Sequence, residues 1–268
     1  MNAAVAARVL VFGALGRMGE RVRAAVAEDP ELVLGAAVEA PDHPGQSRVL
    51  EEGVRVGDRP EEALGHCDVA IAFASPVATL ALLRQAAAAG VPCVVGTTGF
   101  DEAGRAEMGQ LAERVPLLVA ANFSVAVNVL FHLARQASHL LGEGFDAEIV
   151  ELHHGRKVDP PRGTALRLGE AVADGRGRRL GEHAVLCREG HTGPRPAEAI
   201  GIQTLRGGDN AGEHTLYFLG QGERLELAHR SATRDHFARG AVRGARWLRG
   251  RPPGLYDMEQ VLGLRGPA

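Results

Sequence analysis

The segment ARVLVFGALGRMG (Ala7–Gly19) constrains the fold more than any other stretch of the chain. Its first residues form a short apolar run ending in glycine, which reads as a buried strand. RMGERVRAAVAEDP follows, with Met18, Val22, Ala25 and Val26 on one helical face and Pro30 beyond its end. A strand that passes through glycines straight into a helix is the start of a βα unit. Further apolar runs at residues 31–39, 68–74, 91–99 and 115–123 read as strands. PVATLALLRQAAAAG reads as a helix with Pro76 in its first turn and a stop at Gly90. Strands alternating with helices predict an α/β fold, a parallel sheet with helices on both faces.

The pattern changes after about Asn122. FSVAVNVLFHLARQASHLL predicts one long helix, DAEIVELHH (146–154) a strand and GTALRLGEAVA a helix. AIGIQTLRGG, AGEHTLYFLGQG and ERLELAHRSA alternate apolar and polar residues, as strands of an open-faced sheet do. DHFARGAVRGARWLRG predicts a last helix. A length of 268 residues accommodates both parts, a nucleotide-binding half followed by a second α+β domain.

Composition excludes several functions. The formal net charge is −3 and the longest basic cluster, GRGRRLG (175–181), is short and glycine-broken, so neither nucleic acid nor an anionic membrane is an expected partner. Cys67, Cys93 and Cys187 are far apart without a CxxC spacing, which argues against a disulfide framework and a zinc site; no metal is expected. No leader-like or membrane-spanning run is read, and the expectation is a cytoplasmic protein.

Glycines 13, 16 and 19 have the spacing GxxGxxG, a relative of the dinucleotide fingerprint. A tight turn and a close backbone approach let a pyrophosphate sit on the helix N-terminus, where N–H groups and the helix dipole favour an anion. Glu39 stands at the end of the second strand, where a carboxylate accepts hydrogen bonds from ribose hydroxyls. Glu39 repels a 2′-phosphate while Arg17 offsets that repulsion, so NADH and NADPH both stay open. Two later loops, GTTGF (96–100) and AANFS (120–124), fall at the carboxyl ends of predicted strands. There Thr97, Thr98 and Asn122 are candidates to hold a nicotinamide, with ordinary loop capping as the plain alternative.

ELHHGRKVDPPRGTA (151–165) holds Lys157, the only lysine among 30 Lys and Arg residues. Lysine can lose a proton when its pKa is lowered; arginine cannot at working pH. His153 and His154 are adjacent on a strand and so point to opposite faces, which makes them poor joint ligands for one metal. Histidine still serves proton transfer near neutrality. Gly163 and Thr164 open a helix and offer N–H groups and a hydroxyl to a carboxylate, or merely a helix cap. Together these residues point to a small anionic substrate.

The motifs GALGRMG, VGTTGF, ANFSVAVN, ELHHGRKVDPPRGTA, RGGDNAGEHT and FARGAVRGARWL…GLYDM resemble, nearly end to end, those of the 4-hydroxy-tetrahydrodipicolinate reductase (dihydrodipicolinate reductase) family. The resemblance implies a Rossmann-type domain of residues 1–123, completed by 234–268. It also implies a substrate-binding and tetramerisation domain of residues 124–233, whose open mixed sheet builds a homotetramer, with hinges near Ser124 and Thr233. Gly13, Ala14, Leu15, Gly16, Arg17 and Met18 would form the pyrophosphate loop and Glu39 the ribose contact. Gly96, Thr97, Thr98, Ala120, Ala121, Asn122 and Phe123 would line the nicotinamide side. His153 would be the acid/base residue and Lys157 the proton donor, while His154, Gly163 and Thr164 would bind the carboxylates of a dicarboxylate substrate. The implied reaction is NAD(P)H-dependent reduction of 4-hydroxy-tetrahydrodipicolinate, with loss of water, in diaminopimelate and lysine biosynthesis. Three positions depart from the usual family pattern: Ala40 where an arginine often follows the acidic residue, Arg162 in place of serine, and Ala126 in place of a glycine. The competing readings are another two-domain reductase, such as an amino-acid dehydrogenase, and a nucleotide-binding regulator without catalysis.

Overall fold

The computed structural model describes residues 6–158, 160, 161 and 163–265. The chain forms two compact units, one running to Val125 and resuming at Arg234, the other spanning Ala126–Thr233.

The first unit opens with β1 (Ala7–Phe12), α1 (Arg17–Ala27), β2 (Leu32–Val38), β3 (Val56–Gly57), α2 (Pro60–Leu64), β4 (Val69–Ala72) and α3 (Pro76–Ala89). It continues with β5 (Cys93–Val95), α4 (Glu102–Ala112) and β6 (Pro116–Val119). The second unit carries most of α5 (Val125–Leu141), then β7 (Asp146–His153), α6 (Gly163–Gly175), α7 (Leu180–His183), β8 (Ala184–Val185), β9 (Ile200–Arg206), β10 (Gly212–Leu219) and β11 (Arg224–Ser231). The chain then returns to the first unit with α8 (Asp235–Leu248), β12 (Gly254–Tyr256) and α9 (Met258–Val261).

The first unit's sheet has the order β3-β2-β1-β4-β5-β6-β12, and every pairing in it is parallel. This is the doubly wound arrangement, with the reversal of strand order between β1 and β4. Alternation along β1 splits its side chains. Ala7, Val9 and Val11 enter the apolar cluster made with α1, α8 and α9, and Leu10 enters the one made with α3 and α4. A small residue lets α8 lie close to the loop after β6: a Cβ at Gly240 would stand 1.8 Å from the Phe123 carbonyl oxygen. Strands 91–99 and 115–123 of the sequence reading shrink to β5 and β6, because their carboxyl ends leave the sheet to become loops. The edge strand β12 is a three-residue addition beyond Pro252 and Pro253, too short to show a period.

The second unit's sheet is mixed, in the order β11-β10-β7-β9-β8, with β10 antiparallel to both neighbours and β7 parallel to β9. Helices α5 and α6 cover one face and bury Ala147, Ile149, Ile200, Ile202, Leu216 and Phe218. On the other face Arg188 and Arg195 both reach the Glu148 carboxylate, at 2.7–2.8 Å. The basic cluster at 175–181 is used inside the fold: Arg176 donates to the Phe145 carbonyl, and Arg178 pairs with Glu143 and Glu198. All three cysteines are free. Among the described residues no helix is long and apolar enough to cross a membrane.

Candidate active site

In the first unit the site is made mostly from backbone. Gly13 has φ +79°, and a Cβ there would stand 2.5 Å from the Phe73 carbonyl oxygen, so only glycine fits this turn. Its N–H and that of Ala14 both donate to the Val38 carbonyl, which ties the loop to the end of β2. A Cβ at Gly19 would fall 2.0 Å from the Gly13 carbonyl oxygen, so α1 packs directly on the loop. No side chain caps α1 at Gly16, which leaves its first-turn N–H groups to an anion. A cleft of about 380 Å³ opens at the carboxyl ends of β1, β2 and β4, lined by Gly13, Gly16, Glu39, Ala40, Asp58 and Phe73 among others. The Glu39 carboxylate accepts from the Leu15 N–H (2.9 Å) and the Ala40 N–H (3.0 Å), which fixes it at the rim and leaves lone pairs for hydroxyl donors. A glycine turn, an uncapped helix start and a held carboxylate around one cleft fit a dinucleotide.

The two later loops lie at the ends of β5 and β6. Gly96 makes room for the Phe73 ring, which would lie 2.1 Å from a Cβ at that position. The Phe73 ring also meets Phe123 edge-on at 6.0 Å. The Thr97 hydroxyl is buried. It lies 2.7 Å from the Thr79 hydroxyl and accepts from the Ala74 N–H, so it braces the loops from inside, whereas Thr98 is exposed. Asn122 accepts from the Ser124 N–H at 2.8 Å, and Ala120 and Ala121 lead into this turn.

In the second unit the site is made from side chains on the inner face of the sheet. Along β7 the inward positions are Ala147, Ile149, Glu151 and His153. Register extends each into a row across β9, β7 and β10. Two rows are apolar, Ile200–Ala147–Phe218 and Ile202–Ile149–Leu216; the next is Thr204–Glu151–His214, and the last pairs Arg206 with His153, whose ring lies beside Gly212. The sheet face thus changes from core to chemistry along one strand. Glu151 is fully buried and His153 nearly so, with His153 Nδ1 2.6 Å from Glu151 Oε2. Arg206 (3.0 Å) and the Thr204 hydroxyl (3.1 Å) both donate to Glu151 Oε1. Burial pushes the Glu151 carboxyl up, but the His153 and Arg206 hydrogen bonds and charge outweigh it and hold it at about 2. His153 and His214 rings meet edge-on at 5.4 Å.

Beyond the strand end, His154 donates its N–H to the Asn210 carbonyl, and Lys157 donates its own to the His154 carbonyl. The HHGRK turn therefore wraps against the loop that joins β9 to β10. Lys157 is half-buried. Gly163 is exposed at the start of α6, with open space where a Cβ would stand, and Thr164 follows half-buried. Arg162 lies outside the described residues.

Profiles described as the N-terminus and the C-terminus of dihydrodipicolinate reductase match residues 7–123 and 126–262. The chain belongs to the dihydrodipicolinate reductase family. It is 50% identical to the 4-hydroxy-tetrahydrodipicolinate reductase of Thiobacillus denitrificans over 96% of this chain and 99% of that one. With the enzyme of the same name from Anaeromyxobacter dehalogenans it shares 47% identity over 97% and 98%. The fold matches a dipicolinate-bound dihydrodipicolinate reductase from Paenisporosarcina sp. TG-14, with a TM-score of 0.77 at 23% identity over 96% of this chain and 99% of that one. Membership makes the chain an oxidoreductase of diaminopimelate and lysine biosynthesis that uses a pyridine nucleotide, and it disfavours the amino-acid dehydrogenase and regulator readings.

Sequence reasoning did not find Glu151, Thr204, Arg206 and His214 around His153 in this reductase, nor Phe73 and Asp58 around the cleft. Glu151 carried a usable signal, since it stands two residues before His153 and so shares its face. The others are brought in by strand register and by loop packing.

Proposed function

We propose that this chain is a 4-hydroxy-tetrahydrodipicolinate reductase, with the dehydrated cyclic dicarboxylate as the species reduced. Its full-length 50% identity to an enzyme of that name is the observation that carries the reading. The reduced nicotinamide, when bound, supplies a hydride. The chain's own groups do the rest. The loop Gly13–Met18 cradles the pyrophosphate, with the Arg17 and Met18 N–H groups at the uncapped start of α1 as donors, and Glu39 takes the ribose hydroxyls. Gly96, Thr98 and residues 120–123 line the nicotinamide side, with Thr97 shaping their loop. His154, Gly163 and Thr164 bind the substrate carboxylates, and the open space at Gly163 supports close approach of a ligand. Lys157 delivers a proton to the reduced substrate, with His153 as the acid/base partner.

NADH is the preferred cofactor in this reading. Glu39 and Asp58 line the cleft, among the described residues no Lys or Arg lines it, and Ala40 adds no charge where a 2′-phosphate would need one. The assembly is a homotetramer built on the outer face of the mixed sheet, where Leu205 (52% exposed) and Leu219 (38%) are open to solvent. The cytoplasm suits a biosynthetic enzyme with three free cysteines.

The test is oxidation of NADH and of NADPH with freshly generated 4-hydroxy-tetrahydrodipicolinate. Turnover with NADH favoured is expected; no turnover with either nucleotide overturns the reading.

A further inference from the structure

Glu151 sits where β7 would otherwise continue an apolar core, fully buried, two residues before His153 on the same face. A buried carboxylate is costly unless it is paired, and three donors surround this one. Arg206 and Thr204 reach Oε1, which fixes the carboxylate plane, and Oε2 is left facing His153 Nδ1 at 2.6 Å. The opposite edge of the imidazole meets Gly212, at φ +149°, where a Cβ would stand 2.9 Å from Nε2. The Asn210 side chain holds that glycine by accepting its N–H at 2.8 Å. One ring nitrogen therefore faces the carboxylate, and the other faces a glycine, where any side chain would crowd it.

We propose that Glu151 is a positioning residue that holds His153 in the Nδ1–H tautomer and so presents Nε2 to the substrate. This rests on the reductase reading above, in which His153 handles a proton. An ionised carboxylate only accepts, so the nitrogen facing it must donate, and the neutral ring then carries its lone pair at Nε2. The arrangement follows the logic of a carboxylate that orients a catalytic imidazole without itself exchanging a proton. Glu151, His153 and His214 also bring ligand atoms within 4.8 Å of one another, as a metal site would. But Oε2 and Nδ1 are nearer than two ligands of one tetrahedral zinc, which sit about 3.3 Å apart, and Arg206 adds a cation beside them.

The experiment is nitrogen NMR of histidine-labelled full-length protein, above the pH at which the ring titrates, with His153 assigned by the signals lost in His153→Gln. Wild-type protein is expected to show Nδ1 protonated and Nε2 bare; an Nε2–H ring overturns the proposal. The kinetic arm is Glu151→Gln, expected to lower kcat about 10²-fold with KM within about threefold, and to lose the single tautomer. Unchanged kcat with an unchanged ring overturns it. If Glu151→Gln does not fold, the wild-type spectrum still decides, and Thr204→Val, which frees one edge of the carboxylate, is expected to mix the tautomers. A wild-type protein without turnover would sink the activity reading while leaving the tautomer measurement to stand or fall alone.

Discussion

The two sheets prepare their sites in opposite ways. The parallel sheet of the first unit offers backbone: glycines at a turn, N–H groups at an uncapped helix start and strand ends that open a cleft. The mixed sheet of the second unit offers side chains, placed by register on a face that is apolar for two rows and polar for the next two. A backbone site tolerates no added atom at its turn, whereas a side-chain site tolerates shape changes and depends on charge and tautomer. The two units should therefore fail differently when altered.

The largest expected effect tests the backbone half. Gly19→Ala places a Cβ 2.0 Å from the Gly13 carbonyl oxygen and 2.8 Å from Ala14 backbone atoms, which cannot rotate away. Overpacking of this kind costs about 3 kcal/mol, and chemical denaturation should show it together with loss of nucleotide binding. Gly109→Ala in α4 is the control, since nothing lies within 4 Å of its Cβ position. It should stabilise by up to about 1 kcal/mol through helix propensity. Equal effects at the two glycines would break the comparison.

The next effect tests the side-chain half. Lys157→Arg keeps the charge and removes the ability to give up a proton at working pH. We expect kcat to fall about 10²-fold with nucleotide affinity unchanged. Full kcat in this variant would make Lys157 a point charge and move the proton role to His153 alone. A smaller effect lies at the cofactor rim. Ala40→Arg adds a cation beside Glu39 and should move the ratio of kcat/KM for NADPH over NADH up by about tenfold. No movement would mean that Glu39, and not the missing arginine, sets the preference.

The same contrast explains what could be read from the sequence. Gly13, Gly16 and Gly19 announce the parallel sheet because the backbone demand is written in residue type and spacing. The alternation in β7, β9 and β10 announces a half-covered sheet, and HHGRK with GTA announces chemistry. What stayed hidden depends on residues far apart in the chain. His214 and Thr204 flank Glu151 only through strand pairing, and a slip of one residue would send them to the other face. Thr97 reads as a ligand contact from the place of its loop at a strand end, and only the packing shows that its hydroxyl turns inward to Thr79. Edge strand β12 was invisible because three residues carry no period.

The smallest expected effect is a slope, and it isolates the buried carboxylate on which the side-chain half depends. Glu151 is held at about 2 in the folded protein against an ordinary value of 4.5. Below the ordinary value the unfolded chain therefore binds a proton that the folded protein still refuses. Proton uptake on unfolding makes stability rise with pH, so the Glu151 contribution is complete above about pH 4.5 and drains away as pH falls toward 2. Between pH 5 and pH 3.5 this group should cost the wild type about 1 kcal/mol. Glu151→Gln has no proton to bind there, so its stability curve should be flatter over the same interval, whatever its absolute stability. Parallel curves would mean that the carboxylate gains nothing from Arg206 and His153, and the second sheet would then hold its histidine by packing alone.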